Sequence, residues 1–156
     1  MEESIKIEEA IAKALKLEAV DPRTYSPLVL AYIGDAVYEL LIRTKVINHG
    51  SMQVNKMHKK SASLVKAETQ ANIIKAIQDD LTEEELAIYK RGRNANSATM
   101  AKHATMSDYR RATGFEALIG YLYLQGRLER LAKLLGLGLD RLGKWKDGEG
   151  AKPLKN

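Results

Sequence analysis

The chain of 156 residues contains no cysteine. Disulfides and thiolate metal sites are therefore excluded, and a reducing cytoplasm is the compartment that fits. No apolar run approaches the length that a membrane-spanning helix needs. The N-terminus is acidic and amphipathic and lacks the pattern of a signal peptide. Also missing is the two-residue alternation of half-buried strands, and Val, Ile and Thr do not cluster into strand-like runs. His49, His58 and His103 are scattered without metal-ligand spacing, which favours surface or capping roles. Ser51, Ser61 and Ser97 lie in no pattern that marks a nucleophile. These exclusions leave an all-α protein of one ordinary domain, and 45% hydrophobic with 29% charged residues is enough apolar material for a core.

Positive charge is unevenly spread. The net charge is +5, and the stretch from Lys90 to Arg111 accounts for much of it. It holds Lys90, Arg91, Arg93, Lys102, Arg110 and Arg111 against one acid, Asp108. A second group comprises Lys56, Lys59, Lys60 and Lys66, whereas the first twenty residues carry five Glu and three Lys. Such asymmetry suggests a polyanion-binding face. A solvated helix surface explains the Lys56–Lys66 group equally well. In the Lys90 stretch, Gly92 and Asn94 stand among the arginines and add backbone and side-chain donors.

Two lone carboxylates interrupt apolar helical segments. Asp35 follows Leu28, Val29, Leu30 and Ile33 and precedes Val37, Leu40, Leu41 and Ile42. Glu116 precedes Leu118, Ile119, Leu122 and Leu124, with Gly120 leaving room for a neighbouring backbone. A buried, unpartnered carboxylate is costly. Either each acid sits on a wet stripe, or the two helices bring both to one cation, as carboxylate sites in helical bundles do. Hard oxygen donors of this kind suit Mg2+. Glu39, one turn after Asp35, is within reach of the same place or is a solvated helix residue.

Helix boundaries follow from capping signals. A short amphipathic helix spans Ile5 to Leu15. Ser26 caps a helix with Pro27 at its first position, and Gly50 ends it. One long helix is expected from about Lys60 to Gln78, with Leu64, Ala67, Ala71 and Ile74 on its buried stripe. Thr82 and Glu85 form a capping box, with Leu81 and Leu86 as a staple, so the Glu83–Glu85 run needs no chemistry. That helix ends at Arg91-Gly92, and 92–106 reads as a polar loop. Ser107 caps the next helix, and Leu128, Leu131, Leu134 and Leu135 drive a last short one. Tyr32, Tyr121 and Tyr123 read as core or interface aromatics.

Gly34-Asp35-Ala36-Val37 resembles the signature helix of ribonuclease III, and Phe115-Glu116-Ala117-Leu118-Ile119-Gly120 with Tyr123-Leu124 resembles that family's second acidic motif. The connecting words resemble one subfamily, Mini-ribonuclease III: His58-Lys59-Lys60-Ser61, Thr82-Glu83-Glu84-Glu85, Lys90-Arg91-Gly92-Arg93-Asn94-Ala95 and Tyr109-Arg110. The likeness runs from about Ser26 to Leu135. Ala31 and Thr113 stand where full-length ribonuclease III has two further carboxylates, a reduction that the Mini subfamily shares. Waters, Thr113 or substrate phosphate would then complete a metal shell.

The resemblance implies the ribonuclease III endonuclease-domain fold and Mg2+-dependent cleavage of double-stranded RNA, with Asp35 and Glu116 as catalytic and metal-binding residues. It implies a homodimer with Tyr32 at the interface, and maturation of the large-subunit (23S) ribosomal RNA precursor in a bacterial cytoplasm. Lys59, Lys60, Lys90, Arg91, Arg93, Asn94, Lys102, Arg110 and Arg111 are the expected RNA-binding residues. Further expected partners are a ribosomal protein or a pre-ribosomal particle, and no membrane. The expected organisation is an N-terminal helical extension over 1–24, a catalytic domain over 25–138 and a flexible basic tail over 139–156, too short for a double-stranded-RNA-binding domain. The rival reading is a non-catalytic RNA-binding or ribosome-assembly protein on the same fold. A helical protein–protein adaptor is weaker, because the basic stretch disfavours it.

Overall fold

A computed structural model describes residues 6–50, 53–95 and 105–143. Among them the elements are α1 (Ile7–Ala14), α2 (Pro27–Asn48), α3 (Val54–Val65), α4 (Ala67–Ile77), α5 (Glu83–Arg93), α6 (Met106–Leu124) and α7 (Leu128–Leu142), with short 3-10 turns at Pro22–Thr24 and Gln78–Asp80 and no strand. The all-α expectation holds. None of these helices is long and apolar enough to cross a membrane.

Helix α6 is the axis of the fold. Residues Ala117 to Leu122 are buried without interruption, so the helix is enclosed on all sides. It packs on α2, α4, α5 and α7. The main core gathers Tyr38, Ile42 and Val46 of α2, Ile73, Ile74 and Ile77 of α4, Phe115, Leu118 and Leu122 of α6, and Leu131, Leu134 and Leu135 of α7. Tyr38 meets Phe115 edge-on, with ring centroids 5.6 Å apart, a favoured aromatic geometry.

Local capping holds several boundaries where the sequence puts them. Ser26 Oγ accepts from the Val29 amide and Pro27 opens α2. Thr82 and Glu85 form the reciprocal capping box, at 2.9 and 3.1 Å. Glu85 does more than cap. Its side chain is fully buried and forms an ion pair with Arg130 of α7 at 2.7 Å, and Arg130 also donates to the Asp80 carbonyl. Burial raises the Glu85 pKa, but the Arg130 guanidinium and the Thr82 amide outweigh it and leave the carboxyl below its ordinary value. Glu84 in turn accepts from the buried Tyr121 hydroxyl.

Four boundaries differ from expectation. The single helix expected over Lys60–Gln78 is two helices, because Lys66 is extended (φ −66°, ψ 154°). No Gly or Pro marks the break. Side chains stabilise it instead, by satisfying the carbonyls that end α3. Thr69 donates to Ser63 O, Tyr38 to Leu64 O and Gln70 to Val65 O. Thr69 and Gln70 are buried in doing so, Leu64, Ala71 and Ile74 are buried as expected, and Ala67 is only half-buried. Helix α5 continues to Arg93, with Asn94 as its C-cap. Thr105, not Ser107, caps α6 by accepting from the Asp108 amide at 3.0 Å, whereas Ser107 accepts from Arg111. Finally, α7 is fifteen residues long and runs past 138 to Leu142, where Gly143 ends it in the left-handed region (φ 64°). Ser51, Ser97, Lys102 and His103 lie outside the described residues.

Candidate active site

The site begins where α2 and α6 cross. A Cβ on Gly34 would fall 1.8 Å from the Glu116 carbonyl oxygen, and one on Gly120 would fall 2.0 Å from the Leu30 carbonyl oxygen. Only glycine permits this approach, and backbone touches backbone at both points. Asp35, next to Gly34, is thereby carried against Glu116, and the two carboxyls are within hydrogen-bonding reach of each other. Asp35 is exposed, so it occupies the wet stripe of α2, while Glu116 is partly buried behind it. Burial first, and then the charge and hydrogen bond of Asp35, push Glu116 up to about 9. A carboxyl so placed keeps its proton near neutral pH in the protein alone. The Tyr38 phenol is also pushed up, by burial and then by the charge of Glu116.

Little else joins the pair. Among the described residues no Lys or Arg forms an ion pair with either acid, and no third Asp, Glu or His completes a metal cluster with them. Glu39 turns to Arg43, at 2.7 Å. The Thr113 hydroxyl is buried and donates to the Tyr109 carbonyl at 2.9 Å. Ala31 packs with Ile88, Ala117 and Tyr121.

The ribonuclease III domain profile matches residues 28–127, which span both acids. The chain belongs to the ribonuclease III family. It is an endoribonuclease of the ribonuclease III type, on the Mini-ribonuclease 3 branch. The Mini-ribonuclease 3 of Clostridium tetani is 50% identical over 131 residues, covering 83% of this chain and 87% of the relative. That of a Thermoanaerobacter species is 54% identical over 114 residues, covering 73% and 80%. A Fusobacterium nucleatum protein of known crystal structure superposes with a TM-score of 0.71 at 35% identity, covering 80% of this chain and 99% of that one.

In this ribonuclease III domain the expected RNA-binding residues fall into separate groups. Arg93, Asn94, Arg110 and Arg111 line one cleft of about 450 Å3 with Met106 and Ser107. Lys90 and Arg91 are exposed on the last turn of α5, outside that cleft. Lys59 and Lys60 lie on α3, which packs on α2 and α4. Gly92 corrects the sequence reading. It offers no backbone to a ligand, because it is buried in the α5–α6 crossing, where an added Cβ would lie 2.8 Å from Gly114 Cα and from Ala117 Cβ. Tyr32 is 81% exposed on α2. Sequence reasoning missed Gly34 as the partner of Gly120 in the crossing, although its place beside Asp35 was the available signal. It also missed Tyr89, whose ring Arg93 covers at 5.7 Å.

Proposed function

We propose that this ribonuclease III-type endoribonuclease cleaves double-stranded RNA as a homodimer, with Mg2+ held by Asp35 and Glu116. The observation that carries the reading is the contact of these two carboxyls across the α2–α6 crossing, with Glu116 held near 9. Hard oxygen donors and mutual repulsion, with no ion pair to either acid among the described residues, fit a divalent cation. When bound, Mg2+ supplies a Lewis acid for the phosphate and a more acidic water. The chain's own residues set the rest. Exposed Asp35 faces incoming RNA, and Glu116 keeps its proton until a cation offsets the charge of the pair. The glycine crossing fixes the spacing of the two acids.

Lys59, Lys60, Lys90, Arg91, Arg93, Asn94, Arg110 and Arg111 are the proposed RNA contacts, directed mainly at phosphates, since A-form duplexes are read by shape. The homodimer reading rests on α2. Val29, Tyr32, Ala36, Leu40, Arg43 and Ile47 recur every three or four residues and are exposed, so a largely apolar stripe lies outside the core. Two copies meeting on this stripe would form an isologous interface with Asp35 one turn from Tyr32 in each subunit. One duplex would then meet two sites, one for each strand. The substrate that the Mini-ribonuclease III resemblance implies is the large-subunit (23S) ribosomal RNA precursor in a bacterial cytoplasm, alone or within a pre-ribosomal particle.

The test is incubation of a perfect RNA duplex and of its separated strands, each with Mg2+ and with chelator. Cleavage of the duplex alone, and only with Mg2+, is expected. An intact duplex at saturating Mg2+ would overturn the reading in favour of an RNA-binding protein on this fold.

A further inference from the structure

The cleft between the end of α5 and the start of α6 is lined mainly by cationic and polar side chains. Its lining holds three guanidiniums, those of Arg93, Arg110 and Arg111, together with the Asn94 amide and the Ser107 hydroxyl, and no acid among the described residues. Arg23, Arg43, Arg130 and Arg141 each pair with a carboxylate, but none of these three forms an ion pair among the described residues. Three converging cations repel one another, so something must hold them. Arg111 Nη1 donates to Ser107 Oγ at 2.5 Å, and Arg93 Nε donates to Asn94 Oδ1 at 3.3 Å. Beneath them lies Tyr89, 1% exposed, with the Arg93 guanidinium 5.7 Å from its ring centroid. Gly114 makes room for that ring, since a Cβ there would lie 2.8 Å from Tyr89 Cδ1 and Cε1. Burial raises the Tyr89 phenol, and the nearby Arg93 and Arg111 guanidiniums pull it the other way.

We propose that Arg93, Asn94, Ser107, Arg110 and Arg111 bind a single backbone phosphate of the RNA, distinct from the phosphate at the acid pair, and that Tyr89 is the positioning residue that holds Arg93 and Arg111. This rests on the double-stranded RNA reading above. Guanidinium forks suit a phosphate's oxygens better than point charges do. The second phosphate follows from helix geometry. Arg110 and Arg111 precede Glu116 by six and five residues, roughly 7.5–9 Å along α6 and about a third of a turn or somewhat more to either side of it. A group in the cleft is thus set apart from one at the acids. Fixing a second phosphate at a constant offset would position the strand as well as attract it.

The experiment replaces one phosphodiester at a time in the RNA duplex by a neutral methylphosphonate and measures affinity. For the wild-type enzyme, one linkage other than the cut one should weaken binding by about tenfold, the scale of one charge-assisted contact. In Arg111→Ala the same replacement should cost severalfold less, because one of its three cationic partners is already gone. Tyr89→Phe keeps the ring and removes the hydroxyl. It should raise KM severalfold with kcat within about twofold, and reduce the effect of that one linkage. A separate arm titrates inorganic phosphate and follows arginine side-chain NMR signals. Saturable shifts are expected at Arg93, Arg110 and Arg111, and none at the acid-paired Arg23. Cleavage without any linkage whose effect shrinks in Arg111→Ala would overturn the pocket and leave the nuclease reading standing. So would wild-type KM in Tyr89→Phe, or equal phosphate shifts at all arginines. An uncut duplex would overturn the nuclease reading, and the phosphate titration would still decide the pocket.

Discussion

Asp35 lies against Glu116 with no ion pair to either acid among the described residues, and burial together with the Asp35 charge raises Glu116. The raised pKa of Glu116, from an ordinary 4.5 to about 9, has a consequence for stability. Between those values the folded, metal-free protein holds a proton that the unfolded chain has released. Its stability therefore falls as pH rises across that window, by at most about 1.4 kcal/mol per pH unit for one proton. Urea melts in chelator at pH 6 and pH 9 should show wild type losing more stability than Glu116→Gln, and Mg2+ should recover part of the loss at pH 9. Parallel losses in the two proteins would contradict the coupling. Both acids were legible in the sequence because a carboxylate in an apolar helix is expensive and conspicuous. Their order of burial was not. The apolar run around Asp35 suggests depth, yet it is split between two faces of α2: Leu30, Val37 and Ile42 are buried, Leu28, Val29 and Leu40 are exposed with Asp35, and Glu116 is the more enclosed of the two acids.

Elements were legible where their signals are local. A capping box acts between residues three apart, so Thr82 and Glu85 declare the start of α5. The α3–α4 break depends on Tyr38, 26 residues away from its acceptor, and no window on the sequence contains both partners. The α2–α6 crossing is intermediate, since Gly120 suggested a close approach without naming the partner. Gly34→Ala should be among the most damaging small substitutions, because its Cβ would sit on the Glu116 carbonyl oxygen and the obstacle is backbone. Forced separation of the helices should cost about 3 kcal/mol and move the two acids apart. Thermal melting with a cleavage assay checks this, and a wild-type melting temperature with full activity would show that the crossing is not the device that sets the site.

At the scale of the whole molecule, the exposed stripe of α2 and the basic surfaces predict assembly and grip. Light scattering at micromolar concentration should give a particle of about twice the 17.4 kDa chain mass. Tyr32→Asp, which puts a charge in the middle of the stripe, should shift it toward the monomer; an unchanged dimer would move the interface elsewhere. For RNA, replacing Arg91 and Arg93 with Ala removes two cations and should lower the salt slope of binding by roughly one to two. An unchanged slope across a salt series would make the α3 lysines Lys59 and Lys60 the better candidates. Neither surface could be drawn from sequence alone. Gly92 sits inside the densest basic run and is nevertheless committed to packing, while Arg93, Arg110 and Arg111 converge only because α5 and α6 cross.

The central claim is that Asp35 and Glu116 together make the catalytic metal site, and single-turnover cleavage of a labelled RNA duplex at saturating Mg2+ tests it most directly. Asp35→Asn and Glu116→Gln are near-isosteric, so each should fold and bind RNA like wild type while losing cleavage by at least about a thousandfold, a loss of roughly 4 kcal/mol in transition-state stabilisation. Cleavage within a few-fold of wild type in either variant would contradict the account.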